Sequence, residues 1–156
     1  MKETGLKIRS ANMHMLGLRK MGYVSILDRG YYIITDLGRK QIGLPKISKD
    51  MAKNILRTVP DEKAFHFYTD IGKPLGISSN SLIDFCERIK SLKMESINFH
   101  MTRGDFELWI HYLGDAELAK RLRIIREMGL SGKELRNKLY SVIKSRCEEL
   151  MRIAAQ

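Results

Sequence analysis

The chain has 156 residues and a mass of 18.0 kDa, a length that fits one domain or two small ones. Its apolar fraction of 44% and charged fraction of 29% are those of a folded globular chain, which excludes collagen and argues against disorder. The net charge is +10, and residues 1–57 hold 12 Lys and Arg against 4 Asp and Glu. A basic segment joined to a nearly balanced one suggests a polyanion-binding module beside a module with another task.

Membrane, secreted and metal-binding classes receive no support from the sequence. No apolar run approaches the roughly 18 residues of a membrane helix, and the N-terminus lacks the apolar stretch of a secretory signal. We therefore expect a cytoplasmic protein. Cys86 and Cys147 lie within helix-like patterns, which favours buried free thiols. No spacing of Cys and His suggests zinc, so we expect no metal and no cofactor.

The first predicted element is a helix over residues 7–21. Ala11, Met15 and Leu18 recur at helical spacing and form one apolar stripe, and Gly22 is a plausible stop.

A hairpin and a short helix are predicted next. Two β-branched, apolar runs at residues 23–27 and 31–34 flank a turn at residues 28–30, which is typical of a β-hairpin. Thr35 is the expected N-cap of the following helix, with Asp36 at its positive end.

Residues 5–42 combine two motifs in a recognisable order. Gly5–Val24 reads GLKIRSANMHMLGLRKMGYV, and Tyr32–Arg39 reads YIITDLGR. Together they resemble the recognition helix and the return strand of winged helix-turn-helix transcription regulators. The resemblance implies a helix that enters the major groove of double-stranded DNA, a hairpin wing and a function in transcription regulation.

The physical chemistry of the segment agrees with DNA binding. With the apolar stripe facing inward, outward side chains near the helix start would reach base edges, where Arg reads guanine and Asn reads adenine. Other basic residues suit phosphate contacts, and the one at the hairpin tip also suits the minor groove. The predicted DNA-binding residues are Lys7, Arg9, Ser10, Asn12, Met13, His14, Arg19, Lys20, Arg29 and Lys40. The alternative is a protein-interaction or scaffold module that does not bind DNA.

The segment departs from a complete winged helix at its start. Two helices normally precede the recognition helix, and only Met1–Thr4 precede the Gly-Leu turn. Three explanations remain open: the true start lies upstream, another part of the chain covers the apolar stripe, or a partner subunit covers it. Exposure of that stripe would cost about 25 cal/mol per Å².

Gly and Pro at residues 43–48 predict a boundary between a winged-helix-like segment, residues 1–44, and a second domain, residues 48–156. In the second domain, apolar periodicity and capping residues predict mostly helices. The predicted helices cover residues 48–58, 81–92, a span from Thr102 or Asp105 to about 114, 115–129 and 131–150, and the predicted strands cover residues 65–68 and 95–101. The apolar stripe of the last helix is predicted core, with a homodimer seam as the second interpretation.

Residues 62–150 carry a second resemblance. The motifs Phe65–Gly72, Ser81–Phe85, Ser96–His100 and Arg103–Ile110 are similar to a prokaryotic domain family of unknown function. That resemblance implies an accessory domain for sensing or interaction and supplies no activity.

A polar cluster is predicted in the second domain at His66, His100, Arg103 and Asp105. If the two predicted strands pair, the two histidines become cross-strand neighbours, as a ligand, a metal or acid–base chemistry would need. The structural alternative is hydrogen bonding between the histidines and pairing of Arg103 with Asp105. No nucleophile–base pair or phosphate loop supports catalysis, so we expect no enzyme and no catalytic residue.

The sequence as a whole predicts a mainly α protein with minor β (α+β), a winged-helix-like N-terminal part and a helical C-terminal domain. The predicted function is DNA binding in transcription regulation as a homodimer, with the second domain used for assembly or sensing.

Overall fold

The computed structural model describes residues 7–26 and 30–156. The chain divides into two compact units, Met1–Lys46 and Ile47–Gln156. The described residues form eight α-helices and two antiparallel sheets of two strands each, which is the α+β class that the sequence predicts. None of these helices is long and apolar enough to cross a membrane.

The first unit contains two helices around a hairpin. In chain order its elements are α1 (Ile8–Lys20), β1 (Val24–Ile26), β2 (Tyr32–Ile34) and α2 (Asp36–Gln41). The strands pair antiparallel, with Val24 opposite Ile34 and Ile26 opposite Tyr32, so the predicted hairpin is confirmed. The predicted turn lies partly outside the described residues, and Arg29 lies there too.

Thr35 links the hairpin to α2. Its hydroxyl accepts a hydrogen bond from the Gly38 backbone N–H at 3.1 Å, which confirms the predicted N-cap, and it donates to the Gly22 carbonyl at 2.6 Å. Gly38 packs so closely on the Tyr23 carbonyl that no side chain would fit between them. Gly38 and Leu44 are the buried residues of this unit within its described part.

The second unit contains the hydrophobic core. Its elements are α3 (Lys49–Leu56), β3 (Phe65–Asp70), β4 (Lys73–Ser79), α4 (Leu82–Ser91), α5 (Met94–Arg103), α6 (Asp105–Leu113), α7 (Ala116–Glu127) and α8 (Gly132–Ala155). Helix α8 packs against α3, α4 and α7, and its predicted stripe is core. The buried members of that stripe are Leu135, Leu139, Ile143, Cys147 and Leu150, while Val142 is half-buried. Both Cys86 and Cys147 are buried and free, as predicted.

Two predictions about the second unit are wrong. Residues 95–101 form the middle of helix α5, and β3 pairs instead with β4, a strand that was not predicted. His66 therefore lies opposite Ser78, and the predicted cross-strand pairing of His66 with His100 does not exist. At the start of α8, Ser131 occupies the N-cap position without a side-chain capping bond.

A buried ion pair joins α7 to α8. Arg146 is fully buried and donates from Nε and Nη2 to the two carboxylate oxygens of Asp115, at 2.8 and 2.9 Å. Asp115 also caps α7, because its carboxylate accepts from the Leu118 backbone N–H at 3.0 Å. Asp115 thus opens the helix predicted over residues 115–129, whereas Arg146 was not singled out by the sequence.

Candidate functional site

The predicted DNA-binding residues lie mostly on exposed surface of the first unit. Lys7 directly precedes α1, and the outward residues of its first half are exposed, except Ser10, which is half-buried. The exposed residues of the predicted set are Lys7, Arg9, Asn12, Met13, His14, Arg19, Lys20 and Lys40. Helix α1 contributes no buried residue, and its predicted inward stripe, Ala11, Met15 and Leu18, is half-buried.

A groove of about 800 Å³ runs between α1 and the hairpin. Its lining residues are Ile8, Arg9, Asn12, Met13, Leu16, Gly30 and Tyr32. Arg9 is the cationic member of this set, and Asn12 supplies an amide. Ile8 and Met13 are 64% and 65% exposed, so the groove presents a mixture of polar and apolar side chains.

The described part of the first unit exposes large apolar side chains on every element. They are Ile8, Met13, Leu16, Met21, Ile26, Tyr31, Tyr32, Ile33, Leu37 and Ile42. Exposed apolar side chains indicate an interaction site where they form one contiguous patch.

In the second unit, three of the four predicted polar-cluster residues come together where α5 meets α6. His100 on α5 hydrogen-bonds through Nδ1 to Asp105 Oδ2 at 2.8 Å, and Arg103 Nε donates to the same oxygen at 3.0 Å. Gly104 separates the two helices with a left-handed φ of 74°, which brings Asp105 back beside the end of α5.

The tautomer of His100 follows from its second contact. The Tyr68 backbone N–H donates to His100 Nε2 at 2.9 Å, so Nε2 is the acceptor nitrogen. The ring proton is therefore on Nδ1, and this N–H donates the hydrogen bond to Asp105. Burial lowers the pKa of His100, and the hydrogen bond and charge of Asp105 oppose that shift only in part. His100 is therefore a neutral link between β3 and α6, with neither nitrogen free for acid–base catalysis.

His66 is near this group but not part of it. Its Nε2 lies 3.3 Å from the Asp61 carbonyl, on the exposed side of β3. All four predicted residues nevertheless line one cavity of about 320 Å³. Its walls also include Phe65, Tyr68, Asp70, Ile71, Gly72 and Phe99. This contribution from the β3–β4 turn was not predicted, because the sequence pattern of residues 73–79 does not indicate a strand.

The described residues offer no metal centre. Within residues 7–26 and 30–156, no three His, Cys, Asp or Glu side chains come together as metal ligands.

The protein is of the α+β class. A short helix–hairpin unit comes first in the chain, and a larger, mainly helical unit that contains the cavity follows it. Residues 34–144 match a family of unknown function, DUF5752, and the chain belongs to that family. The match begins at the last residue of β2, so it leaves out α1 and β1 and says nothing about a winged helix. Comparison with curated proteins and with solved structures found no match.

Proposed function

We propose that this chain is a DNA-binding transcription regulator in which α1 lies in the major groove and the β1–β2 hairpin is the wing. The observation that carries the proposal is the exposed N-terminal half of α1, which presents Arg9, Asn12 and His14 on a helix followed by a hairpin and a capped helix. That order of elements is the order of a winged helix from its recognition helix onward. The second unit would then mediate assembly or sensing.

Charge supports the same function. Residues 1–46 hold 9 Lys and Arg against 3 Asp and Glu. Arg9 and Asn12 are the residue types that read guanine and adenine by paired hydrogen bonds. Lys20 and Lys40 are exposed and suit phosphate contacts that add affinity without sequence preference. A homodimer would place two copies of α1 on two half-sites.

Fluorescence anisotropy with a mixed-sequence duplex across a salt series tests this proposal. We expect affinity to fall steeply as salt rises, because each phosphate contact releases counterions. Lys20→Gln should weaken binding and reduce the salt slope by about 1, whereas Arg9→Gln should also reduce discrimination between sequences. Lys133→Gln, which removes an exposed cation from the second unit, is the control and should bind as the parent does. No binding at low salt, or an equal loss in the control, would overturn DNA recognition by α1.

A second candidate function, protein interaction without DNA binding, is favoured by the exposed apolar side chains of the first unit. Ile8 and Met13 lie in the groove beside α1 and are largely exposed. If this groove is a protein interface, Ile8→Ser with Met13→Ser should change the oligomeric state seen by sedimentation and leave any DNA affinity unaltered. If it faces DNA, the same double variant should weaken DNA binding and leave the oligomeric state as it was.

A further inference from the structure

A cavity in the second unit lies between the β3–β4 turn and the junction of α5 with α6. Its volume is about 320 Å³, which is at the small end of the range of ligand pockets. We propose that this cavity binds a small organic monocarboxylate with an apolar body, whose carboxylate is received by Arg103. The proposal concerns the second unit alone and does not depend on DNA binding.

Arg103 has the geometry of a carboxylate receptor. Its Nε donates sideways to Asp105 at 3.0 Å, and its guanidinium lies over the Phe99 ring at 5.1 Å from the centroid. Within the described residues, neither terminal nitrogen of Arg103 makes a hydrogen bond with another residue. Those two nitrogens are the end-on pair that binds a carboxylate through two parallel hydrogen bonds. Phe99 and Asp105 hold the guanidinium in place before a ligand arrives.

The charge of the cavity selects a monoanion over a dianion. Asp105 forms an ion pair with Arg103, and the neighbouring His100 is neutral. The cluster therefore holds one positive and one negative charge. Asp70 adds a second carboxylate to the wall, and its pKa is lowered by the Ile71 backbone N–H and by Lys73. A phosphate dianion would bring a second negative charge beside Asp105 that the single cation of Arg103 does not balance, whereas a monocarboxylate is matched by the two Arg103 hydrogen bonds.

The apolar body of the ligand has its own contacts. Ile71 is 78% exposed in the β3–β4 turn, so burial in the fold does not account for an apolar side chain at this position. Gly72 follows it with a φ of 72°, a conformation that keeps the turn tight and leaves room above it. Phe65 and Phe99 supply the remaining apolar wall. A ligand that joins Arg103 to this surface would cover Ile71 and leave its carboxylate at the polar end.

Titration of the full ¹⁵N-labelled chain, followed by ¹H–¹⁵N NMR, tests the assignment with three probes. Phenylacetate carries the charge and the apolar body, phenylacetamide is its neutral counterpart, and phenyl phosphate is a dianion near neutral pH. We expect saturable shifts of the Tyr68, Ile71 and Gly72 amides with phenylacetate, at an affinity at least about tenfold above that of either other probe. Equal affinity for the amide, tighter binding of the phosphate, or no saturable shift at millimolar phenylacetate would overturn the proposal.

Three variants locate the binding energy. Arg103→Gln should weaken phenylacetate binding about tenfold and bring it to the level of the amide, because the charged fork is lost. Ile71→Ser should weaken it severalfold, and its exposed position leaves the fold intact even if Arg103→Gln does not fold. Arg123→Gln is the matched control, since Arg123 is an exposed arginine of α7 paired with Glu127 at 3.0 Å. A loss in the control equal to that in Arg103→Gln, or unchanged binding in Ile71→Ser, would contradict the assignment.

Discussion

His100 is held in its neutral form by burial and by the Tyr68 N–H that donates to Nε2, against the opposing effect of Asp105, so its protonation state couples folding to pH. Its pKa in the folded chain lies below the ordinary value of 6.5, while the unfolded chain keeps that ordinary value. The stabilisation is therefore complete above pH 6.5 and is lost as the pH falls from there toward the folded-state pKa, because the unfolded state binds the proton first. We expect the free energy of unfolding, measured in urea, to fall as the pH decreases below the ordinary histidine pKa of 6.5.

The variant His100→Gln isolates this contribution. A Gln oxygen can still accept from the Tyr68 N–H, so we expect a loss of about 1–2 kcal/mol at neutral pH, together with a flatter dependence on pH. His66→Gln removes an exposed histidine from the same cavity wall and serves as the control. A pH profile that is flattened equally by both variants would show that His100 is not the group responsible.

Arg146 illustrates how a buried charge depends on its partner. Burial alone would lower its pKa, but the hydrogen bonds and charges of Asp115 and its neighbours Glu117 and Glu149 raise it, so Arg146 stays charged inside the core. Arg146→Met would leave Asp115 buried without this cation, and we expect a loss of about 3–5 kcal/mol in denaturant unfolding.

A double variant distinguishes the pair from general packing. Asp115→Asn removes the uncompensated charge and keeps an oxygen that can cap α7. We therefore expect Arg146→Met with Asp115→Asn to be less destabilised than the sum of the two single variants. Strict additivity would mean that the two side chains contribute independently.

At the scale of elements, Gly38 shows why α2 lies against the hairpin. A Cβ at this position would collide with the Tyr23 carbonyl oxygen and approach the Ile34 side chain to 2.9 Å. Gly38→Ala should weaken the docking of α2, although Ala is the better helix former by about 1 kcal/mol. Faster hydrogen exchange of the Thr35 amide, which bonds the Tyr23 carbonyl at 2.9 Å, measures that loss.

Gly17→Ala gives the opposite result and is the control. Gly17 lies inside α1 with no atom within 4 Å of an added Cβ, so helix propensity alone acts there. We expect slower exchange along α1 in this variant. If both substitutions acted in the same direction, the close contact at Gly38 would not control the docking of α2.

Helices that begin with a capping side chain were predictable from the sequence. Thr35, Ser48, Ser81 and Asp115 each accept a backbone N–H from the residue three positions later, which is information contained in four consecutive residues. Helix α5 lacks such a cap, and its alternation of Ile97, Phe99 and Met101 resembles a strand. The helical stripe of Met94, Ile97 and Met101, with spacings of three and four, is the signal that decides in favour of a helix.

The missed strand and the candidate site have a common cause. Pro74 and Gly76 disfavour β4 on local grounds, yet the strand forms because β3 pairs with it and its Leu75 and Ile77 pack on the core. The pairing of Arg103 with Asp105 spans two residues and was foreseeable, whereas the contact between His100 and the Tyr68 N–H joins residues 32 apart. Contacts of that length depend on the packed fold, which local patterns do not encode.

Across the two units, the hydrophobic core and most of the exposed apolar side chains lie in different parts of the chain. Every member of the hydrophobic core, from Ala52 to Leu150, belongs to the second unit. The first unit buries only Gly38 and Leu44 within its described part, while it carries most of the exposed apolar side chains. A segment with so little burial cannot offset the conformational entropy of its own folding.

Three fragments test this division. Residues 47–156 should unfold cooperatively near the melting temperature of the full chain, as followed by circular dichroism, because they retain the whole core. Residues 1–46 should show no cooperative transition alone. The family match begins at residue 34, so a fragment of residues 34–156 is the informative comparison. If it is folded and the 47–156 fragment is not, residues 34–46 are required for the fold of the second unit. Equal stability of the two would instead show that residues 34–46 contribute nothing to the fold of the second unit.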